Sequence, residues 1–220
     1  MPINKTQKMQ PQQRLQIREG MTVEEVKKYG SEGQKLAASL FDENDTKDEK
    51  TGHYLKNGVY SEREAKYFNQ YNFSVKNNVF TMYNRKSNQT TEIKYNNIDD
   101  LKKFLTDDYN EPGCWALYQN KKQKVYIGDS TKNGKITLDL HEGTVTCDGV
   151  EGDFIYASGK KVTVSNSDVK TIGSHAKELE IQNTRDKGLI WDSATEVEAG
   201  KDTSVKIDDK SDIELKRDDE

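Results

Sequence analysis

The feature that most constrains this chain is a repeat in its C-terminal half. Short apolar pairs of the V-x-V type recur at nearly fixed spacing. One set is Val145/Cys147, Val162/Val164, Leu179/Ile181, Val197/Ala199 and Ile213/Leu215, at steps of 17, 17, 18 and 16 residues. A second set interleaves with it: Ile136/Leu138, Phe154/Tyr156, Thr171/Gly173, Leu189/Trp191 and Val205/Ile207, at steps of 18, 17, 18 and 16. Alternation at period two marks half-buried strands. A fixed period with one unit per repeat marks stacked units that bury a shared strip. Composition agrees with a thin core, because only 32% of the 220 residues are apolar and 33% are charged.

The expected fold class is therefore α+β to mainly β. A parallel β-solenoid over 131–217, with 17–18 or 25–26 residues per coil, follows an N-terminal helical part. An antiparallel β-meander or sandwich is the alternative, since short strands with frequent turns predict it equally well. Residues 1–21, Gln-rich and locally basic, read as a flexible tail. Residues 22–70 read as helical. Thr22, Ser31 and Ser61 each stand three residues before Glu25, Gln34 and Glu64, the S/T-x-x-E/Q pattern of a capping box. Residues 71–130 read as a small α+β segment that caps the repeat. It has a hairpin of 79–83 with 91–95, a helix carrying Leu101, Phe104 and Leu105, and strands at 114–118 and 124–127.

The charge of this chain is balanced, with 34 basic and 38 acidic residues and a net charge of −4. The basic residues form no stripe, which argues against a nucleic-acid partner. No apolar run reaches the roughly 20 residues of a membrane-spanning helix. Met1–Lys5 opens no apolar stretch of the signal-peptide kind, which makes the cytoplasm the default compartment. Cys114 and Cys147 form no C-x-x-C pair, and Cys147 reads as a small buried hydrophobe. His53, His141 and His175 have no metal-ligand spacing. Phosphate-loop, dinucleotide, serine-hydrolase and zinc-protease motifs are absent.

One loop carries chemistry. Leu40-Phe41-Asp42-Glu43-Asn44 closes a helix on alternating oxygen donors. Asn57-Gly58-Val59-Tyr60-Ser61-Glu62-Arg63-Glu64 then runs through a turn glycine to a closing glutamate. Over residues 30–70 this resembles a divergent EF-hand. The resemblance implies Ca2+ held by side-chain oxygens of Asp42, Asn44 and Asn57, the Val59 carbonyl, Ser61 directly or through water, and Glu64, within the 6–8 oxygens calcium takes. The loop departs from the 12-residue pattern, because Asp42 to Glu64 spans 23 residues. A second resemblance covers about 140–215. The step and the phrase Val150-Glu151-Gly152-Asp153-Phe154 are similar to the bactofilins, bacterial scaffold proteins that polymerise through β-helices.

The function expected on this reading is a non-enzymatic structural or partner-binding protein, with calcium as its candidate modulator. The partner is another protein or a second copy, as in a self-assembling scaffold. A carbohydrate-binding or carbohydrate-active reading would use Asp139, His141, Asp153, Asp168, Lys170 and His175 on one outer face. Trp115 and Trp191 read as core.

Overall fold

The structure is a computed structural model, which describes residues 14–42, 55, 58–105, 115–118, 124–127, 131–188 and 190–218. Each capping signal starts a helix. Helix α1 spans Val23–Tyr29 behind Thr22, α2 spans Glu32–Ala37 behind Ser31, and α3 spans Glu62–Asn69 behind Ser61. In each case the cap hydroxyl accepts the N–H of the residue three positions on, satisfying an amide that has no partner inside the helix. Helix α2 relaxes into a π-turn over Ala38–Asp42.

The strands follow. They are β1 (Tyr71–Lys76), β2 (Val79–Asn84) and β3 (Gln89–Lys94), then helix α4 (Ile98–Leu105), then β4 (Trp115–Tyr118), β5 (Lys124–Ile127), β6 (Lys135–Asp139), β7 (Thr144–Asp148), β8 (Glu151–Ser158), β9 (Lys161–Ser165), β10 (Asp168–Ser174) and β11 (Glu178–Gln182). A small hairpin, β12 (Asp186–Lys187) with β13 (Asp192–Ser193), precedes β14 (Thr195–Ala199), β15 (Ser204–Ile207) and β16 (Ile213–Arg217).

Two large sheets form. The first has eight strands in the order β1-β2-β3-β6-β7-β9-β11-β15, and the second has six, β16-β14-β10-β8-β5-β4. The chain is thus a mixed α/β protein, which corrects the expected fold class. The expected C-terminal solenoid, standing apart behind a capping segment, is not what forms. One mixed sheet runs from the hairpins of the middle region straight into the repeat. Within it β1–β2, β2–β3 and β6–β7 pair antiparallel, whereas β3–β6, β7–β9, β9–β11 and β11–β15 pair parallel. The parallel pairs equally overturn the meander or sandwich. The physical reason lies at two points. Gly143, at φ +73°, folds β6 back on β7, so Ile136 sits beside Cys147 in one sheet instead of alternating with it. Residues 183–194 then lengthen one connection. Paired columns step Val145–Val162–Leu179–Val205 in the first sheet and Ile155–Ile172–Val197–Leu215 in the second. Val197 and Val205 therefore lie in the opposite sheets to those their spacing suggests.

The apolar columns are closed to water through most of their height. Val145, Cys147, Val162, Val164, Leu179, Ile181, Ile155, Ile172 and Val197 are all buried. At the other end the core is aromatic. Phe73 stacks on Phe80 at 6.0 Å and tilts against Phe68 at 5.0 Å. Helix α2 rests directly on the β1 backbone through Gly33, so closely that a side-chain carbon there would lie 2.2 Å from the Phe73 carbonyl oxygen.

Polar corners hold the rungs in register. Asn166 and Asn183 both take the left-handed conformation, which Asn tolerates because its short side chain bonds locally. Asn183 Nδ2 donates to Asn166 Oδ1, and Asn166 Nδ2 donates to Asp148 Oδ1, each at 2.9 Å. A second ladder of hydroxyls runs beside it. Ser167 Oγ accepts from Val150 N, Thr184 Oγ1 from Ser167 N, and Ser211 Oγ from Thr184 N. These bonds satisfy amides that the turns would otherwise bury without partners.

The segment before α1 is anchored. The Gln34 side chain accepts from Leu15 N at 2.8 Å and donates to Leu15 O at 2.7 Å. Asn69 does the same for Ile17, at 2.9 and 2.8 Å. Each side-chain amide thus replaces a neighbouring strand.

Candidate functional site

Two places deserve description as sites: the loop ends at Asp42 and Glu64, and the β12–β13 hairpin.

At the first, the π-turn delivers Asp42 and the start of α3 delivers Glu64. Between them stands Tyr60, 1% exposed. Its hydroxyl donates to Asp42 Oδ2 at 2.6 Å. Burial raises the Tyr60 pKa far above the ordinary phenol value, and the charge and hydrogen bond of Asp42 and then the charge of Glu64 push it further. Of the two carboxylates that the sequence places at opposite ends of a 23-residue loop, Asp42 is thus held directly by the phenol, and Glu64 acts on it through its charge. Tyr60 stays protonated and donates to Asp42.

The remaining predicted ligands divide. Ser61 Oγ is engaged as the cap of α3, accepting from Glu64 N at 3.2 Å. Val59 forms an isolated antiparallel bridge with Thr22. The flanking bonds are Val23 N to Gly58 O and Tyr60 N to Met21 O. By strand alternation the Val59 carbonyl points away from that pairing. Asn44 and Asn57 lie outside the described residues. Asp42, Glu64 and the Val59 carbonyl supply only part of the oxygen shell calcium requires. Among the described residues no group of three or more His, Cys, Asp or Glu is placed to hold a metal.

Sequence reading missed the segment that faces this loop. Gly20 and Gly58 both have positive φ, +88° and +69°, and each is followed by a helix cap, Thr22 and Ser61. Gly20 N donates to Tyr60 O, and Tyr60 N donates to Met21 O. The two glycine–cap segments pair with one another. The signal was present as G-M-T-x-x-E beside G-V-Y-S-x-x-E, but Arg14 and Arg18 before Gly20 hide it from a search for acidic ligands.

At the second place, the hairpin interrupts the parallel rungs between β11 and β14. Asp186 pairs with Ser193 and Lys187 with Asp192. Its base is tied to β10, where Asp168 Oδ1 accepts from Lys187 N at 2.7 Å. At the tip, Ile190 is 81% exposed and Trp191 79%. The expectation that Trp191 sits in a strand of the core is therefore corrected. The V-x-V spacing continues through Leu189, which lies outside the described residues, to Trp191, which belongs to no strand.

The outer-face groups are dispersed. Asp139 Oδ1 accepts the N–H groups of His141 and Glu142 in the β6–β7 turn, and His141 Nδ1 meets Asn96 Nδ2 at 2.8 Å. His175 faces Asp218 at 3.5 Å. Asp168 is engaged at the hairpin base, by Lys187 N. Among the described residues no helix is long and apolar enough to cross a membrane. Comparison with protein-family models, with curated proteins and with solved structures returns no match to this chain.

Proposed function

We propose that this chain is a non-enzymatic binding protein that engages a protein partner through the tip of the β12–β13 hairpin. The observation that carries the reading is the exposure of Ile190 and Trp191 side by side at that tip. An apolar patch on a short protrusion costs solubility unless something covers it. Tryptophan anchors are enriched where partners bury most of their binding energy. The anchored base, through Asp168 and Lys187, presents the tip on a rigid support and so lowers the entropy lost on binding.

The test is a displayed peptide library selected on the wild-type chain and counter-selected on an Ile190→Ser/Trp191→Ser variant. Because both side chains are exposed, the variant keeps the wild-type melting temperature. Peptides that bind the wild type and lose the variant support the proposal. Peptides that bind both equally refute it.

The hydrogen bond from Tyr60 to Asp42, beside the charge of Glu64, favours a second, compatible reading, in which calcium at residues 42–64 modulates binding. Tyr60 holds one oxygen of Asp42, and a cation bound here would offset the negative charge of Asp42 and Glu64. A calcium titration by calorimetry tests it, run on the wild type and on Glu64→Gln, with thermal melts in chelator alongside. Heat on the wild type that is lost in the variant supports the reading. Silence up to millimolar calcium, the weakest range of known extracellular sites, removes it.

A further inference from the structure

The apolar columns end openly at the last rungs. Leu215 is 39% exposed and Ile207 37%, whereas their counterparts on the preceding rungs, Val197 and Ile181, are at 0%. Strand β16 ends the second sheet, with β14 on one side and no strand on the other among the described residues.

Its free edge has a defined polarity. Thr195 N donates to Asp212 O, and Asp218 N donates to Ala199 O. Even-numbered residues of β16 therefore turn their backbone groups toward β14. Because direction alternates along a strand, the N–H and C=O of Ile213, Leu215 and Arg217 face the open edge.

The side chains around Leu215 are complementary to themselves. Glu214 and Lys216 stand on the same outer face, 60% and 55% exposed, with their charged ends 4.0 Å apart. Across the β14–β16 ladder Glu214 lies opposite Glu196, a like charge. We propose that the β16 edge docks a second copy of this chain, with two β16 strands pairing antiparallel about a two-fold axis at Leu215. Leu215 then exchanges both backbone bonds with its symmetry mate, and Ile213 bonds with Arg217 on either side. Glu214 of each copy falls opposite Lys216 of the other, at non-hydrogen-bonded positions where side chains approach most closely. The lysine also offsets the repulsion from Glu196. Leu215 meets Leu215, extending both apolar columns across the joint.

The pairing uses the same patch on both copies, so it closes at two and builds no filament. The opposite end of the second sheet, β4 (Trp115–Tyr118), carries no charged residue and so lacks the Glu-x-Lys order that pairs with itself.

Charge variants test this on the full chain by light scattering behind size exclusion, across micromolar to millimolar protein. The wild type is expected to dimerise with rising concentration. Glu214→Lys places lysines opposite lysines and Lys216→Glu places glutamates opposite glutamates. Each is expected to weaken dimerisation about tenfold or more, because like charges directly opposite destabilise a strand pair. The double exchange, Glu214→Lys with Lys216→Glu, restores complementarity and the dimer. Mixing the two single variants gives heterodimer. Circular dichroism and melting temperature confirm that each variant is folded. A wild type that stays monomeric throughout, assembles beyond two, or dimerises indifferently to these charges overturns the proposal.

Discussion

Replacing Gly33 by alanine sets two opposed effects against each other at one atom. In a free helix the change favours folding by about 1 kcal/mol, because glycine loses more backbone freedom than alanine. Here the new methyl would sit 2.2 Å from the Phe73 carbonyl oxygen, 2.3 Å from its carbonyl carbon and 2.5 Å from Ser74 N. All three belong to the backbone of β1, which is held in register by β2 over its full length. No side chain can rotate away. Relief needs α2 to lift by roughly 1 Å, and gaps of that size forfeit a quarter to a half of each lost contact. The lift would loosen buried Gln34, Ala37 and Phe73 together. Overpacking of this kind costs about 1–3 kcal/mol and more where backbone must move. Net destabilisation of about 2 kcal/mol is expected, a melting temperature lower by about 4–8 °C for a chain of this size. Calorimetry or circular dichroism reads it. Gly58→Ala is the control: it meets nothing within 4 Å and carries only the left-handed penalty of about 1–2 kcal/mol. A Gly33→Ala protein that melts at or above the wild-type temperature would refute the claim that α2 rests on the β1 backbone.

Two further expectations concern buried polar groups. Gln34→Leu removes the bonds to Leu15 and Ser31; urea unfolding should show a loss of about 1–3 kcal/mol, and limited proteolysis should newly cut near Leu15. The Cys147 thiol, fully buried, has its pKa pushed from 9.0 up to about 12 by burial. In a Cys114→Ser background it should resist iodoacetamide at pH 8.5 and react at once in urea. Because the native value lies above the unfolded one, its contribution to stability is complete below pH 9 and is lost as pH rises toward 12; a melting temperature flat across that range would contradict the burial.

Local chemistry was readable, and the assignment of strands to sheets was not. Thr22, Ser31 and Ser61 announced three helix starts because a cap needs only its own next three residues. The hairpin of β2 with β3 was legible for the same reason. The V-x-V pairs located buried strands but carried no label for the sheet. Alternation looks identical on either side of a core, so the extra residues of the β12–β13 hairpin moved Val197 and Val205 between sheets unseen. Trp191 fits a strand by spacing but lies beyond a short hairpin in which Asp186 and Lys187 pair with Ser193 and Asp192, and there it reaches solvent. Around the loop, Asp42 and Glu64 were found by type, whereas Tyr60, the group that donates to Asp42, reads from sequence as one more apolar position.

The paired ladders at Asn166 and Asn183 also bear on how these two asparagines age. Asparagine loses its amide when the nitrogen of the following residue attacks its side-chain carbon. Here those nitrogens belong to Ser167 and Thr184, and both are engaged, by Thr184 Oγ1 and Ser211 Oγ. The hydroxyl ladder thus shields the amide ladder from chemical decay while the chain is folded. An unfolded chain has no such shield. If Asn166 became aspartate, the donor that reaches Asp148 Oδ1 at 2.9 Å would be replaced by a second carboxylate, and the rungs would no longer close. Every excursion to the unfolded state therefore carries a chance of permanent damage, and the native register acts as the preservative of these two asparagines.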